Sequence, residues 1–242
     1  MFFNFLKSKP ILKELIPEGF IDIHSHILPG IDDGAKDIEE SLDLISKMKS
    51  LGFSKIIATP HTYPGLHENT KETIKASYDK LMDQLNLDIK IEFASEYMTD
   101  VSILEKIKNN SLLCINNDSI LIETGFISFP NILYELIFEL KVNGYTPIIA
   151  HPERYQYLFN NLKDVIKLKK MGCKFQINLL SLVGYYGKDV VKSSNSLLRN
   201  EFIDYVGSDI HNIKQLNAFS KKVVTGNIDK IKKCIENNKI TF

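Results

Sequence analysis

The chain has 242 residues, 44% of them hydrophobic, enough to bury a full core within one domain. Thirty Lys and Arg balance thirty Asp and Glu, which removes any electrostatic case for nucleic acid or an anionic membrane as the main partner. No stretch approaches the roughly 18 to 20 apolar residues of a membrane span, and Cys114, Cys173 and Cys234, odd in number and far apart, point to a reducing, cytoplasmic setting rather than a disulfide framework.

Residues 1–19 read as an extension ahead of the first strand, with Phe2, Phe3, Phe5, Leu6, Ile11, Leu12 and Leu15 available to pack under the rest of the chain or against a partner. Lys7 and Lys9 interrupt its apolar start too soon for a signal peptide. Short aliphatic or β-branched runs then predict strands at 20–23, 55–58, 89–95, 119–123, 146–150, 173–178 and 203–208. Helical periodicity predicts helices near 37–51, 70–86, 101–109, 130–143, 161–171 and 188–200, with a helical tail at about 215–237. In the first helix Ile38, Leu42, Ile45 and Met48 to Leu51 share one apolar face, and Gly52 stops it. Seven strands alternating with helices, without a Pro/Gly/Ser linker, predict an α/β fold. The expected form is a closed or nearly closed parallel β/α barrel, one domain over 20–242.

The chemistry collects at the strand ends. In the extended run Asp22-Ile23-His24-Ser25-His26 the two histidines, two residues apart, point the same way and can share a metal ion. Five later apolar runs end on His61, Glu96, Glu123, His151 and the Asp209-Ile210-His211 triplet. One histidine alone is most often a hydrogen-bonded structural residue, but structural histidines and surface carboxylates have no reason to follow this register. Carboxyl-terminal strand ends are where a parallel barrel assembles an active site. His67, in a polar loop with Glu68 and Asn69, reads instead as a solvated surface residue.

Imidazole with carboxylate and no thiolate suits Mn, Fe or Zn. Eight or nine ligands exceed what one ion takes, so two or three divalent ions are expected, with a carboxylate such as Glu96 bridging a pair about 3.5 to 4 Å apart. Such a cluster makes a hydroxide at neutral pH and clamps the attacking and leaving oxygens of a phosphoryl transfer, which makes phosphate-ester hydrolysis the leading chemistry. Arg154 and Arg199 are the only arginines. Arg154, three residues after His151, is placed to grip phosphate oxygens in a bidentate way; the bland alternative is a surface ion pair with Glu153 or a neighbour.

The run His24-Ser25-His26-Ile27-Leu28-Pro29-Gly30-Ile31-Asp32-Asp33-Gly34-Ala35-Lys36 with Glu39-Glu40-Ser41 resembles the polymerase and histidinol phosphatase (PHP) superfamily. The likeness continues through Ala58-Thr59-Pro60-His61, Ser95-Glu96, Leu121-Ile122-Glu123, Ile149-Ala150-His151-Pro152-Glu153-Arg154-Tyr155, Met171-Gly172-Cys173, Gln176-Ile177-Asn178 and Gly207-Ser208-Asp209-Ile210-His211-Asn212. It is closest to the capsule-associated branch, manganese-dependent protein-tyrosine phosphatases that act on tyrosine autokinases of polysaccharide export. The resemblance implies a distorted seven-stranded, TIM-like barrel. It implies metal ligands at His24, His26, Asp33, His61, Glu96, Glu123, His151, Asp209 and His211, phosphate binding by Arg154, and a catalytic set of Arg154, Asp209 and His211. Asp33 enters on the resemblance alone, since its plain reading is a turn residue before Gly34. Two features depart from the pattern: many relatives carry an arginine where this chain reads Ile213-Lys214-Gln215-Leu216, and many begin almost at the first motif.

The residues also exclude the cysteine-dependent route to phosphotyrosine, which needs an arginine six positions after the nucleophile. Those positions hold Ile120, Leu179 and Ile240. The leading expectation is therefore a metal-dependent protein-tyrosine phosphatase acting through a metal-bound hydroxide, Mn foremost, on a bacterial tyrosine kinase of capsular or exopolysaccharide synthesis. Alternatives are a small-molecule phosphoesterase with a histidinol-phosphate-like substrate and a phosphotyrosine-binding regulatory protein.

Overall fold

The computed structural model describes residues 9–242, so the expectations for Phe2, Phe3, Phe5 and Leu6 lie outside the described residues. Among the described residues there are nine parallel strand segments: seven overlap the expected positions, and two short ones fall just past the second and the third. They are β1 (Phe20–Ser25), β2 (Phe53–Ala58), β3 (His61–Thr62), β4 (Lys90–Phe93), β5 (Glu96–Met98), β6 (Ser119–Glu123), β7 (Thr146–Ala150), β8 (Lys174–Asn178) and β9 (Tyr205–Gly207). Pro60, which has no N–H to give a ladder, separates β2 from β3, and Ala94-Ser95 separates β4 from β5. One sheet runs β1-β2-β4 and the other β3-β5-β6-β7-β8-β9. Backbone bonds from Ala94 N to Ala58 O at 2.8 Å and from Glu96 N to Pro60 O at 3.1 Å carry the pairing across the breaks.

The barrel closes between β9 and β1. Ser25 and Ile210 form a parallel bridge, and the Asp209 and His26 amides donate to the His24 and Ile210 carbonyls at 2.8 and 2.9 Å. Buried Asp22 adds a side-chain staple by accepting from the Ser208 amide and hydroxyl. Burial pushes the Asp22 carboxyl up to about 6 against those bonds.

Helices α1 (Ile38–Ser50), α2 (Lys71–Met82), α3 (Ser102–Lys108), α4 (Leu133–Val142), α5 (Leu162–Lys170) and α6 (Lys188–Arg199) alternate with the strands as expected. In α1 the Asp37 side chain caps the Glu40 amide, and the buried face is Ser41, Leu44, Ile45 and Met48, with Ile38 and Leu42 only half-buried. Polar Ser41 belongs to that face because its hydroxyl donates to the Asp37 carbonyl, which apolar periodicity cannot register. The expected tail helix is two helices, α7 (Ile213–Asn217) and α8 (Ile228–Thr241). Between them the backbone leaves the helix to pair elsewhere: the Lys221 carbonyl accepts from Leu12, Val223 donates to Pro10 and Val224 to Leu182. The same pairing ties down the segment before β1, where Leu12 and Leu15 are buried in the main core.

Two apolar clusters follow the layers of such a barrel. The large one joins outward strand residues, such as Ile56, Ile122, Ile149 and Ile177, to the helices. The small one contains Ile23, Ile57, Leu121, Ile148 and Ala150 and fills the interior. Leu121 and Glu123 are two apart on β6 and so share a side, which sets the carboxylate on the interior face toward the carboxyl-terminal mouth.

Candidate active site

The split strands place the first pair of acid and imidazole. His61 and Glu96 are direct cross-strand partners in β3 and β5, and Met98 pairs with Glu123 one step further. His24 lies in β1, His26 just beyond it, and His151 immediately after β7. His151 and Asp209 both hold left-handed backbone conformations, φ 33° and 52°, rare for residues with a Cβ and concentrated at functional sites.

All nine expected ligands converge. Four overlapping sets bring one donor atom per residue within 4.8 Å of each other: His26, Asp33, His61 and His211; His24, His151 and Asp209; His24, His26 and Glu96; His61, Glu96 and Glu123. Glu96 is at the centre, with Oε2 3.2 Å from His24 Nε2 and from His61 Nδ1, and Oε1 3.1 Å from His151 Nε2. Asp33 reaches the cluster from its loop, with Oδ1 3.4 Å from His211 Nε2 and 3.5 Å from His61 Nε2.

The outer partners decide which atoms face inward. His24 Nδ1 donates to Gln176 Oε1 at 2.8 Å, His26 Nδ1 to Asp32 Oδ2 at 2.8 Å, and His211 Nδ1 to the Asp209 carbonyl at 3.0 Å. Each bond places the proton on Nδ1 and leaves the Nε2 lone pair for the cluster. Asp209 is divided in the same way. Its Oδ2 accepts from Asn178 Nδ2 at 2.5 Å and Arg154 Nη1 at 3.0 Å, while Oδ1 lies 3.4 Å from Nε2 of both His24 and His26.

These contacts fit divalent cations better than protein hydrogen bonds. Both Glu96 oxygens are buried without a bond of acceptable geometry, as are His61 Nδ1 and His151 Nδ1. The His24 and His26 Nε2 atoms face each other at 3.3 Å, two lone pairs that repel unless a proton or a cation lies between them. Burial alone lowers His24, yet the Glu96 and Asp209 carboxylates raise it to about 9. Burial likewise opposes the fall of Glu96, whose carboxyl the His24 and His61 imidazoles hold well below the usual range. Burial and then Arg154 pull His151 down to about 4, which keeps it a neutral donor. A field strong enough to recruit protons onto imidazoles recruits metal ions to the same place.

Arg154 borders this cluster rather than the open surface. Its guanidinium is stacked between Phe126 and Tyr186, 4.7 and 4.5 Å from the ring centroids. Its ion pair is with Asp209, not Glu153. Glu153 is buried and accepts from the Asn178 amide at 3.0 Å and the Ser181 hydroxyl at 2.6 Å, and burial pushes its carboxyl up to about 7. A cavity of about 430 Å³ opens above, lined by Asp33, His61, Glu123, His151, Arg154, Asp209 and His211 together with Tyr63, Leu66, Met98 and Phe126.

His67 departs from its expected solvated role: it is half-buried on the cavity rim and stacks on His61 at 5.5 Å. At the position that departs from many relatives, Lys214 is exposed, whereas Gln215 is buried in the cavity wall and accepts from the His211 amide at 2.5 Å. Asp32, Gln176, Asn178 and Tyr186 are the site residues that sequence reasoning left without a role. Asp32, Gln176 and Asn178 sit inside the recognised motifs, but the bonds of Gln176 and Asn178 reach from β8 to His24 and Asp209, beyond any local signal.

Residues 20–235 match the family model for capsular polysaccharide synthesis, CpsB/CapC. The chain is similar to tyrosine-protein phosphatase YwqE of Bacillus subtilis (strain 168), 32% identical over 208 residues, which cover 84% of this chain and 82% of that protein. It is also similar to tyrosine-protein phosphatase CpsB of Streptococcus pneumoniae, 32% identical over 202 residues, 80% of this chain and 83% of that one. Its fold superposes, with a TM-score of 0.76 and 32% identity over 86% of this chain and 84% of the other, on a chain from the crystal structures of YwqE from Bacillus subtilis and CpsB from Streptococcus pneumoniae, described as unique metal-dependent tyrosine phosphatases. Motifs, barrel and relatives agree, and the chain belongs to the CpsB/CapC family of capsular polysaccharide synthesis.

Proposed function

We propose that this chain, a metal-dependent tyrosine-protein phosphatase by family, hydrolyses phosphotyrosine on a partner protein in the cytoplasm, and that the partner is a tyrosine autokinase of capsular or exopolysaccharide synthesis. The observation that carries the reading is the cavity itself. A floor drawn from nine convergent acid and imidazole groups, six of which line the cavity, sits beside Arg154, and Tyr63, Leu66, Met98 and Phe126 supply an apolar wall. A phosphate belongs on the floor, an aromatic ring against the wall. Three free thiols and the lack of any helix long and apolar enough to cross a membrane, among the described residues, fit the proposed compartment.

His24, His26, Asp33, His61, Glu96, Glu123, His151, Asp209 and His211 would hold two or three ions, because the four ligand sets share His24, His26, His61 and Glu96. Mn is favoured by the mixture of imidazole and carboxylate. Ions bound there supply Lewis acidity, which activates water and neutralises charge on the phosphate. The remaining work falls to the chain. Arg154 spends one N–H on Asp209 and keeps the rest of its fork for non-bridging oxygens, steadied by its packing over the Phe126 and Tyr186 rings. Gln176, Asn178 and Asp32 fix the ligands before substrate arrives. Tyrosinate, with a parent pKa near ~10, leaves without a strong general acid.

The deciding experiment compares Mn-loaded enzyme on phosphotyrosyl peptides, phosphoseryl peptides and histidinol phosphate. A kcat/KM preference for phosphotyrosyl peptide is expected. Preference for the small ester would replace the protein substrate with a metabolite, and binding of phosphotyrosine without turnover would make the chain a regulatory binder.

A further inference from the structure

A second groove, about 420 Å³, lies on the far side of the Phe126–Arg154–Tyr186 wall and shares those three residues with the catalytic cavity. Beyond the wall it is lined by Gln156, Phe159 and Lys188, among others. A phosphotyrosine in a protein brings its neighbours in the chain with it. Once the phosphate is beside Arg154, a flanking residue needs a path out of the cavity, and this groove adjoins it across the three shared residues.

The charge around the mouth is uneven. Lys188, the first residue of α6, is exposed and has no carboxylate within 4 Å among the described residues, whereas its neighbour Asp189 is paired with Lys192 at 2.9 Å. On the opposite side, just past His211, Asp37, Glu39, Glu40 and Asp43 line a shallow cavity together with Ile213. An acidic flank would be repelled there and attracted to Lys188. Phe159, half-buried in the groove, adds an apolar contact for the aliphatic part of such a residue.

We infer that the groove along Phe126, Phe159 and Lys188 is the docking site for the substrate polypeptide next to its phosphotyrosine, and that it selects an acidic residue within about three positions of it. A residue in an extended chain spans at most about 3.3 to 3.6 Å, so three positions extend about 10 Å past the phosphotyrosine, and the two cavities share Phe126, Arg154 and Tyr186 as a common wall. This inference rests on the protein-phosphatase reading.

The test uses the Mn-loaded full chain and Lys188→Glu, with Lys188→Ala as the milder variant. Substrates are p-nitrophenyl phosphate and two phosphotyrosyl peptides that differ only in carrying Asp or Lys at the flanking positions. Lys188 touches none of the proposed ligands, so turnover of p-nitrophenyl phosphate should not change. For Lys188→Glu, kcat/KM on the acidic peptide should fall about 3- to 10-fold, the size of reversing one partly screened charge. On the basic peptide it should rise. Salt should shrink both effects, and Lys188→Ala should lie between. Equal kinetics of wild type and both variants on both peptides would overturn the groove while leaving the phosphatase reading intact. A parallel loss on p-nitrophenyl phosphate would also overturn it, by assigning Lys188 to the chemistry. Failure of the wild type on both peptides, with p-nitrophenyl phosphate still turned over, would instead bring down the protein-substrate reading and the groove with it.

Discussion

Gly207→Ala tests whether the outer partners hold the ligands in place. Gly207 pairs with Asn178 across β9 and β8, and a Cβ there would meet Gln176 Nε2 at 2.6 Å and His24 Cβ at 2.7 Å. Ordinary contacts begin near 3.4 Å, so His24 would have to recede by about 0.7 Å. Gln176 can swing aside only by giving up the bond that orients the His24 ring. Loss of such an outer partner costs about 10- to 100-fold in metal affinity. Misplacement approaching 1 Å costs up to about 100-fold in rate. Overpacking should also lower the stability of the metal-free protein by about 1 to 3 kcal/mol. Calorimetric titration with Mn, steady-state kinetics on p-nitrophenyl phosphate at saturating Mn and thermal unfolding would measure the three effects separately. Gly226→Ala, where an added Cβ meets nothing within 4 Å, is the control. Wild-type Mn affinity and kcat in a folded Gly207→Ala protein would refute the reasoning.

Other substitutions probe the remaining parts of the site. His24→Ala and Glu96→Gln should lower kcat by several orders of magnitude while leaving the metal-free protein folded, because both side chains face the site rather than the apolar core; unfolding of the metal-free barrel with residual specific activity spared would make them packing residues. Arg154→Lys should impair kcat/KM almost as much as Arg154→Ala, about 10- to 1000-fold, with metal content unchanged, since Lys supplies charge but not the fork. Near wild-type kinetics in both would leave phosphate orientation to the metals. Asp32→Asn should weaken Mn binding about tenfold by unsettling the His26 tautomer, and an unchanged calorimetric titration would reduce Asp32 to a loop-bracing role through its bonds to the Gly34 and His61 amides.

The parts of this site legible in the sequence are those that obey strand geometry. His24, His26, His61, Glu96, Glu123, His151, Asp209 and His211 follow apolar runs, so their convergence can be read from register before any contact is known. Asp33 needed the likeness to a family, because its loop has no period to place it. Gln176 and Asn178 remained silent because each orients a ligand through a long-range bond, such as the one joining Gln176 to His24, 152 residues away, and Asp32, six residues from His26, because its loop has no period to show which way it points. Arg154 could be set beside the cluster from its spacing to His151, but its ion-pair partner could not: sequence proximity offered Glu153, which the fold turns inward to Ser181, and the guanidinium pairs with Asp209. The tail shows the same limit. Helical periodicity ran through 215–237, while backbone pairing of 221–224 with Pro10, Leu12 and Leu182 broke it into α7 and α8.

The most direct measurement is a Mn titration of chelator-stripped protein in which bound ions per chain, by elemental analysis, and turnover of a phosphotyrosyl peptide are followed together. Convergence of nine ligands in four overlapping sets leads to a stripped protein with no activity, and to activity that appears only as the second ion binds and exceeds that obtained with Mg. Full turnover by stripped protein, or maximal turnover with one ion per chain, would contradict it.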